Sequence, residues 1–318
     1  MREFVMKYVR LFRLKTTVIY LFPLVLALSV GLEQVENGAA RPIPASLRPV
    51  ASPLWLTVLF AYLAYLCGSF FASTLNCYVD VPADRVHDGL YKDQQIQRQP
   101  FVTGEMGRLE TVLAFALTGG GCVVFSVLVN MRFAIFMVGA VLVLGILYSH
   151  PWFRFKEKPL LDIATNMAGA VLILIAGMSV VSIDYPPALV MILGALLAAT
   201  LYIPSVANDA PFDEAAGYRT SGVVFGQRRL IHAMVPMSAI LVPLGVWVVF
   251  SSSINWQYRL FDGVAAVAAV LATVLVFFLF HPPHIELNPL VMLVPIGALL
   301  LFYFLLGLVR VATWNPAG

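Results

Sequence analysis

The chain has 318 residues, of which 60% are hydrophobic and only 12% are charged, and its formal net charge is +3. Because soluble domains carry about 25% charged residues, this composition excludes an ordinary soluble protein and predicts an integral membrane protein. The lipid bilayer is therefore an expected partner, and no nucleic-acid partner is expected.

Nine apolar segments are long enough to cross a membrane, given that one helical span needs about 20 residues. Their predicted bounds are 14–33, 54–79, 109–129, 132–150, 161–183, 187–208, 230–251, 261–280 and 290–311. A break at Asn130 is required because the runs on its two sides are together twice too long for one span. The prediction is an all-α, multi-span membrane helix bundle in which residues 1–318 form a single domain.

The positive charges predict the orientation of this bundle, since short loops rich in lysine and arginine stay on the cytoplasmic side. With the N-terminus inside, 15 of the 20 lysine and arginine residues are cytoplasmic. The loops 80–108, 149–160 and 209–229 then lie together on that side, and the C-terminus lies outside.

Cysteine and glycine patterns indicate packing rather than chemistry. Cys67, Cys77 and Cys122 have no paired spacing, so neither a disulfide framework nor a thiolate metal site is predicted. The run Gly119–Gly121 lacks the lysine and hydroxyl partners of a phosphate loop, so close helix packing explains it better.

Two aspartate pairs share one pattern, and each follows an apolar segment. Asp80 and Asp84 form an Asp-x-Pro-x-Asp sequence, as do Asp209 and Asp213, 129 positions later. Proline removes a backbone donor and clashes with the carbonyl four residues back, so each pair is predicted to lie where a helix kinks or ends. Asn76 precedes Asp80 by one helical turn and extends the first polar stripe.

The chemistry of these side chains suits a hard cation. Carboxylate and amide oxygens without histidine or cysteine are ligands for Mg²⁺, whose shell is commonly completed by substrate phosphates. The alternative explanation is that these aspartates are only helix caps in a solvated loop. Two similar pairs on the same face make this alternative less favourable. The cytoplasmic loops also supply cations that a diphosphate would need, namely Arg85, Lys92, Arg98, Arg154, Lys156, Lys158, Arg219 and Arg228.

The order of these motifs resembles the UbiA superfamily of intramembrane prenyltransferases. The stretches 76–84 and 209–213 look like its two aspartate-rich motifs. The segment 147–156, with Asp162 and Asn166 beyond it, resembles the family's Tyr-Ser-x-Pro and lysine stretch. The segment 217–226 is similar to its Gly-x-x-Thr and Leu-Gly element, so the resemblance spans most of the chain.

The resemblance implies nine helices around a central cavity and Mg²⁺-dependent transfer of a prenyl group from a prenyl diphosphate to a lipophilic or aromatic acceptor. The implied metal and diphosphate shell consists of Asn76, Asp80, Asp84, Asp209 and Asp213. Further substrate contacts are expected from Arg98, Arg154, Lys156, Lys158 and Arg219. Asp162 and Asn166 are either a capping pair or contacts to the substrate head, and the resemblance favours the second interpretation.

The resemblance also implies that Tyr148 lies near the reacting carbon. Aromatic faces stabilise a carbocation, which makes Tyr148 a candidate for this role on physical grounds as well. Other candidates for this role are Phe71, Tyr78 and Tyr202. The chain also departs from the family pattern at two positions. Cys77 stands where many relatives have aspartate, and Gln99, not arginine, precedes Pro100, which leaves the phosphate role of Arg98 open.

Two alternatives remain open from the sequence. Some members of the superfamily cyclise the prenyl chain without an acceptor, and they need the same ionising site. Carboxylates at broken helices in two similar elements also mark ion-coupled transporters, although transporter sites lie near the bilayer midplane and not at cytoplasmic helix ends.

Overall fold

The computed structural model describes residues 2–14, 17, 21–49, 53–90, 99–233, 237 and 240. Its helices are α1 (Arg2–Leu11), α2 (Phe22–Glu36), α3 (Leu54–Val79), α4 (Val81–Leu90), α5 (Arg108–Val129), α6 (Met131–Val141), α7 (Leu161–Met178), α8 (Ala188–Ala215) and α9 (Ser221–Phe225). α6 continues as a π-helix over Leu142–Leu147, and 3-10 turns occur at Ala45–Leu47 and Phe155–Glu157. In these described ranges the only β pairing is an isolated bridge between Pro42 and Ser182, so the architecture is all-α as predicted.

Four described helices are long and apolar enough to cross a membrane, namely α3, α5, α7 and α8. α3 has the bounds predicted from the sequence, and the predicted break at Asn130 separates α5 from α6. Three predicted ends differ from the structure. α2 ends at Glu36, not at 33, α7 ends at Met178, not at 183, and α8 continues to Ala215, past 208. The segments 261–280 and 290–311, most of 230–251 and part of 14–33 lie outside the described residues.

The first acid pair lies where α3 ends, as the sequence predicts, whereas α8 continues past the proline of the second pair. Pro82 lies in the first turn of α4, where a missing backbone N–H costs no helical hydrogen bond, and only Asp80 separates α3 from α4. Pro211 lies inside α8, so the second pair does not mark a helix end. Membrane helices tolerate such prolines because local adjustments and neighbouring groups satisfy the freed carbonyls.

Small residues let the helices of the bundle approach closely. A Cβ at Gly121 in α5 would lie 2.9 Å from Sγ of Cys67 in α3, and one at Gly68 would lie 3.1 Å from Sγ of Cys122. Gly121 and two of the cysteines are therefore packing residues, as the sequence predicts. All three cysteines are free thiols.

A polar network joins the helix ends opposite the acid pairs. Asn130 is buried, accepts a hydrogen bond from the backbone N–H of Phe133, and donates one to the carbonyl of Ser179 at 2.7 Å. Nearby, Arg41 and Asp184 form an ion pair at 2.6 Å between the connections that follow α2 and α7. These contacts hold the start of α6 against the end of α7.

Asn130→Ala is expected to destabilise the protein by about 1–3 kcal/mol, because it leaves a buried carbonyl and a helix N-terminus without partners. The measurement is the free energy of unfolding in detergent micelles, with the exposed Asn37→Ala as the matched control. Equal stabilities of the two variants would contradict this role of Asn130.

Candidate functional site

The first acid pair begins where α3 ends. Asp80 is the C-terminal cap of α3 and is 9% exposed, and its carboxylate forms an ion pair with the ammonium group of Lys156. Lys156 lies in the 3-10 turn Phe155–Glu157 and is itself 8% exposed. A buried cation is therefore held directly against the first acid.

Asp84 continues the same helical line into α4. Its backbone N–H donates to the carbonyl of Asp80 at 2.8 Å, so the two acids stay one turn apart. The side-chain amide of Gln99 donates to Oδ2 of Asp84 at 2.7 Å. Burial raises the pKa of the Asp84 carboxyl, and the negative charge of Asp80 raises it further, while the Arg13 guanidinium opposes both effects.

The second acid pair lies in the last two turns of α8. Ser205 lies 3.4 Å from Oδ2 of Asp209, and the hydroxyl of Thr220 donates to Oδ2 of Asp213 at 2.9 Å. Thr220 is also the N-cap of α9, whose Gly222 packs so tightly on α8 that a Cβ there would lie 2.3 Å from the carbonyl oxygen of Val206. The second acid pair is thus fastened to α9.

The two acid pairs lie in the same region, because α4 packs against α8. Asp213 lies within electrostatic range of Asp80 and Lys156, and Asp209 lies within range of Asp84. Four carboxylates therefore share one region at the same end of the bundle.

A second cation, Arg13, lies in the same region. Its pKa is raised by Cys77 and, against the opposing effect of burial, by the charges of Asp84 and Asp80. Arg13 has a positive φ of 46°, a backbone conformation that is uncommon outside glycine. The sequence prediction missed this residue, because it lies on no helical stripe with the acids and stands 63 positions before Asn76, where the nearest motif begins.

The oxygen set fits Mg²⁺. Oδ1 of Asn76, one turn before Asp80, is buried and has no hydrogen-bond partner within the described part of the chain, as expected of an oxygen that binds a cation. Among the described residues, no three histidine, cysteine, aspartate or glutamate side chains form a metal-binding group. Mg²⁺ does not require such a group, since one or two carboxylates together with substrate phosphates commonly hold it.

Tyr148 lies immediately after the π-helix, a distortion that often marks functional sites. Its hydroxyl lies 2.7 Å from the hydroxyl of Tyr202 in α8, and the two rings are arranged edge to face. Tyr202 precedes Asp209 by two helical turns, so the tyrosine pair lies about 10 Å deeper along α8 than the acid.

Phe71 and Tyr78, the other aromatic candidates, lie on a different side of α3. Both rings pack edge to face on Phe115 of α5, at centroid distances of 5.6 and 5.9 Å. Positions 71 and 78 are both far around the helix from Asp80, at about 100° per residue. These contacts make packing the better interpretation of Phe71 and Tyr78.

Asp162 is fully buried, and its contacts are those of a structural residue that links α7 to α9. Its carboxylate accepts hydrogen bonds from the backbone N–H of Ser221 at 2.8 Å, from the Ser221 hydroxyl at 2.6 Å and from the backbone N–H of Ile163 at 2.8 Å. The amide of Asn166 donates to the backbone carbonyl of Asp162. This geometry favours the capping and packing interpretation that the sequence left open.

The remaining predicted cations differ in their contacts and in their exposure. Arg154 pairs with Glu157 at 2.7 Å and lies 5.8 Å from the ring centroid of Tyr218, whereas Lys158 is exposed beside Phe155. Arg219 is exposed. Arg98 lies outside the described residues.

Comparisons with known proteins agree with this arrangement. The model of a family described as the UbiA prenyltransferase family matches residues 43–286. Two structures of a UbiA homologue from Archaeoglobus fulgidus, one bound to GPP and Mg²⁺ and the other to DMAPP and Mg²⁺, are 27% identical with TM-scores of 0.76. They cover 96% and 97% of this chain and all of the homologue.

A UbiA homologue from Aeropyrum pernix K1 in its apo form has 14% identity and a TM-score of 0.69, covering 92% of this chain and 98% of its own, which supports the fold alone. No curated protein matches the sequence.

Asp162→Ala and Ser221→Ala should each lower the free energy of unfolding, because each leaves a buried polar partner unsatisfied. The double-mutant cycle should give a coupling of roughly 1–3 kcal/mol, as expected for residues in direct contact. Unfolding in detergent measures it, with Gly120→Ala, where the added Cβ meets no atom within 4 Å, as the control. Additive effects of the two substitutions would contradict the proposed tie.

Proposed function

Because the chain belongs to the UbiA prenyltransferase family, we propose that it transfers the prenyl group of a prenyl diphosphate to a lipophilic or aromatic acceptor in a Mg²⁺-dependent reaction. The diphosphate and Mg²⁺ bound by the Archaeoglobus fulgidus homologue support this assignment. The observation that carries it is the buried Lys156 held against Asp80 beside a second acid pair.

In the proposed reaction, the bond between C1 of the prenyl chain and the diphosphate oxygen breaks, and the electron pair leaves with the diphosphate. C1 then bonds to a nucleophilic atom of the acceptor, which loses a proton. Bound Mg²⁺ would neutralise the negative charge that develops on the leaving group. The residues that would hold it are the two acid pairs and the unpartnered amide oxygen of Asn76.

The chain's own cations have a matching role. Lys156 and Arg13 lie among the acids and would turn their donors to diphosphate oxygens once the acids bind a metal cation. Preorganised donors in a site with little water stabilise developing charge more strongly than donors in bulk solvent. Tyr218, whose pKa is raised by burial and then by the charge of Asp80, lies at the edge of the same region.

The tyrosine pair is suited to stabilise the allylic cation, which is the other product of ionisation. A prenyl chain whose diphosphate lies at the acids would extend past Tyr148 and Tyr202, because these rings lie deeper in the bundle. Their faces would stabilise the allylic cation. The hydrogen bond between the two hydroxyls fixes the orientation of both rings.

The same ionising site would serve a cyclase, and the acceptor distinguishes the two activities. Membranes containing the protein should be incubated with Mg²⁺ and prenyl diphosphates of several lengths, with and without a panel of aromatic and lipid acceptors. Prenylated acceptor identifies the transferase, whereas a cyclic hydrocarbon formed without acceptor identifies the cyclase.

Asp80→Asn and Asp209→Asn should each reduce prenyl diphosphate consumption by roughly 100-fold or more, because each removes a charged ligand of a cation that stabilises the leaving group. Chelation of Mg²⁺ should abolish consumption by the unmodified protein. The measurement is diphosphate release in membranes verified for expression. Asp184→Asn, which affects an acid in the distant ion pair with Arg41, is the control.

Full turnover by Asp80→Asn and Asp209→Asn would overturn the proposal. Ion-dependent uptake into reconstituted vesicles, without diphosphate release, would instead establish the transporter.

Tyr148→Leu is expected to lower the maximal rate by about 10-fold, since a cation over an aromatic face is worth up to about 2 kcal/mol when desolvated. The apparent affinity for the Mg²⁺ diphosphate should change little, because the tyrosine lies away from the acids. Steady-state kinetics separate the two effects, and Phe71→Leu is the control because Phe71 packs on α5. An unchanged rate for Tyr148→Leu would exclude this role.

A further inference from the structure

Gln99 stands at the centre of a hydrogen-bond group that joins two parts of the first acid motif. Its Nε2 donates to the backbone carbonyl of Cys77 at 2.5 Å and to Oδ2 of Asp84 at 2.7 Å. Its Oε1 accepts from the backbone N–H groups of Phe101 at 2.9 Å and Val102 at 3.2 Å. One neutral side chain thus links the end of α3, α4 and the turn that follows.

The turn that carries Gln99 is closed by its own backbone. Val102 and Thr103 donate to the carbonyl of Gln99 at 2.9 and 3.1 Å, and Glu105 donates to the carbonyl of Pro100 at 3.0 Å. Such a turn holds the amide of Gln99 at a fixed position relative to its own backbone.

Two ion pairs fasten this turn and the start of α5 to α1. Arg10 pairs with Glu105 at 2.7 Å, and Lys7 pairs with Glu110 at 2.7 Å. The hydrogen bond to Glu110 raises the pKa of Lys7, which therefore stays charged throughout the neutral range. The backbone of Gln99 is therefore held by the turn and by the contact of that turn with α1, and its side chain is held by its own hydrogen bonds.

Asp84 requires a hydrogen-bond donor such as the Gln99 amide because of its neighbours. The carboxylate is half-buried and lies one turn from Asp80, so repulsion between the two would rotate Asp84 away from the acid cluster. An amide satisfies one carboxylate oxygen without adding a positive charge that would compete with a metal cation. With Oδ2 engaged, Oδ1 is the oxygen that a cation would take.

We infer that Gln99 is a positioning residue that holds the Asp84 carboxylate in the orientation required to bind Mg²⁺ with the diphosphate. This inference rests on the proposed function, since it concerns the same site. It assigns Gln99 no contact with the substrate, and it predicts an effect on metal affinity that exceeds the effect on the chemical step.

The test is metal binding by Gln99→Met, which is similar in length but cannot donate a hydrogen bond. Thermal unfolding of the purified full-length protein is followed in detergent as Mg²⁺ is titrated in the presence of inorganic diphosphate, because a ligand that binds the folded state raises the unfolding temperature. The Mg²⁺ concentration that gives half of the stabilisation should rise about 10-fold relative to the unmodified protein, the order expected for loss of a hydrogen bond to a charged group.

Thr103→Val is the matched control, because it removes hydrogen bonds of the same turn without touching the amide of Gln99. The Thr103 hydroxyl donates to Glu105 at 2.8 Å and contacts the backbone carbonyls of Pro100 and Gln99 at 3.3 and 3.5 Å. Its Mg²⁺ midpoint should stay within about twofold of the unmodified protein. In turnover assays, saturating Mg²⁺ should restore the rate of Gln99→Met to within about threefold, which a damaged fold would not allow.

An unchanged Mg²⁺ midpoint for Gln99→Met would overturn the inference, and so would equal shifts for Gln99→Met and Thr103→Val. Absence of any Mg²⁺ stabilisation of the unmodified protein would overturn it as well. Stabilisation of the unmodified protein by Mg²⁺ and diphosphate without consumption of any prenyl diphosphate would instead contradict the proposed function, and the midpoints would still measure the role of Gln99.

Discussion

The ion pair between Lys156 and Asp80 is the interaction on which the site depends. Four carboxylates at the same end of two packed helices repel one another, and partial burial strengthens that repulsion. Lys156 and Arg13 supply compensating charge within this cluster. A buried ion pair is costly to desolvate, so it contributes little net stability. Under the proposed function the two partners would separate: Asp80 would bind the metal cation while the ammonium group of Lys156 turns to a phosphate.

The helices hold this charge cluster rigidly because neither proline disrupts the spacing of its acids. The hydrogen bond from the Asp84 N–H to the Asp80 carbonyl carries the line of α3 into α4, and α8 passes through Pro211 without a break. Each pair therefore keeps the separation of one helical turn. Thr220 and Ser221 then fasten α9 to Asp213 and Asp162, so the second acid pair is supported from two helices.

The sequence predicts well the features that depend on local pattern. The apolar runs give α3 and the break at Asn130, and the repeated acid motif identifies two regions that the fold brings together. It fails where tertiary contacts decide the outcome. Continuation of α8 past Pro211 depends on packing against α9, and the roles of Arg13 and Gln99 depend on turns that no periodicity marks. For Asp162 the sequence alone does not distinguish a substrate contact from a structural residue. The hydrogen bond from the Ser221 hydroxyl decides in favour of the structural role.

The two departures from the family motif meet in space, and together they change how the first acid pair is supported. Gln99 donates to the backbone carbonyl at position 77, while the Cys77 thiol lies 3.9 Å from the carbonyl of Leu11, two residues before Arg13. A carboxylate at position 77 would add a fifth negative charge beside Asp80 and Asp84. The thiol instead contacts the segment that carries Arg13, which lies within electrostatic range of Asp80 and Asp84. Under the proposed function, the side chain at position 77 would support a segment that carries a cation and would not itself bind the metal.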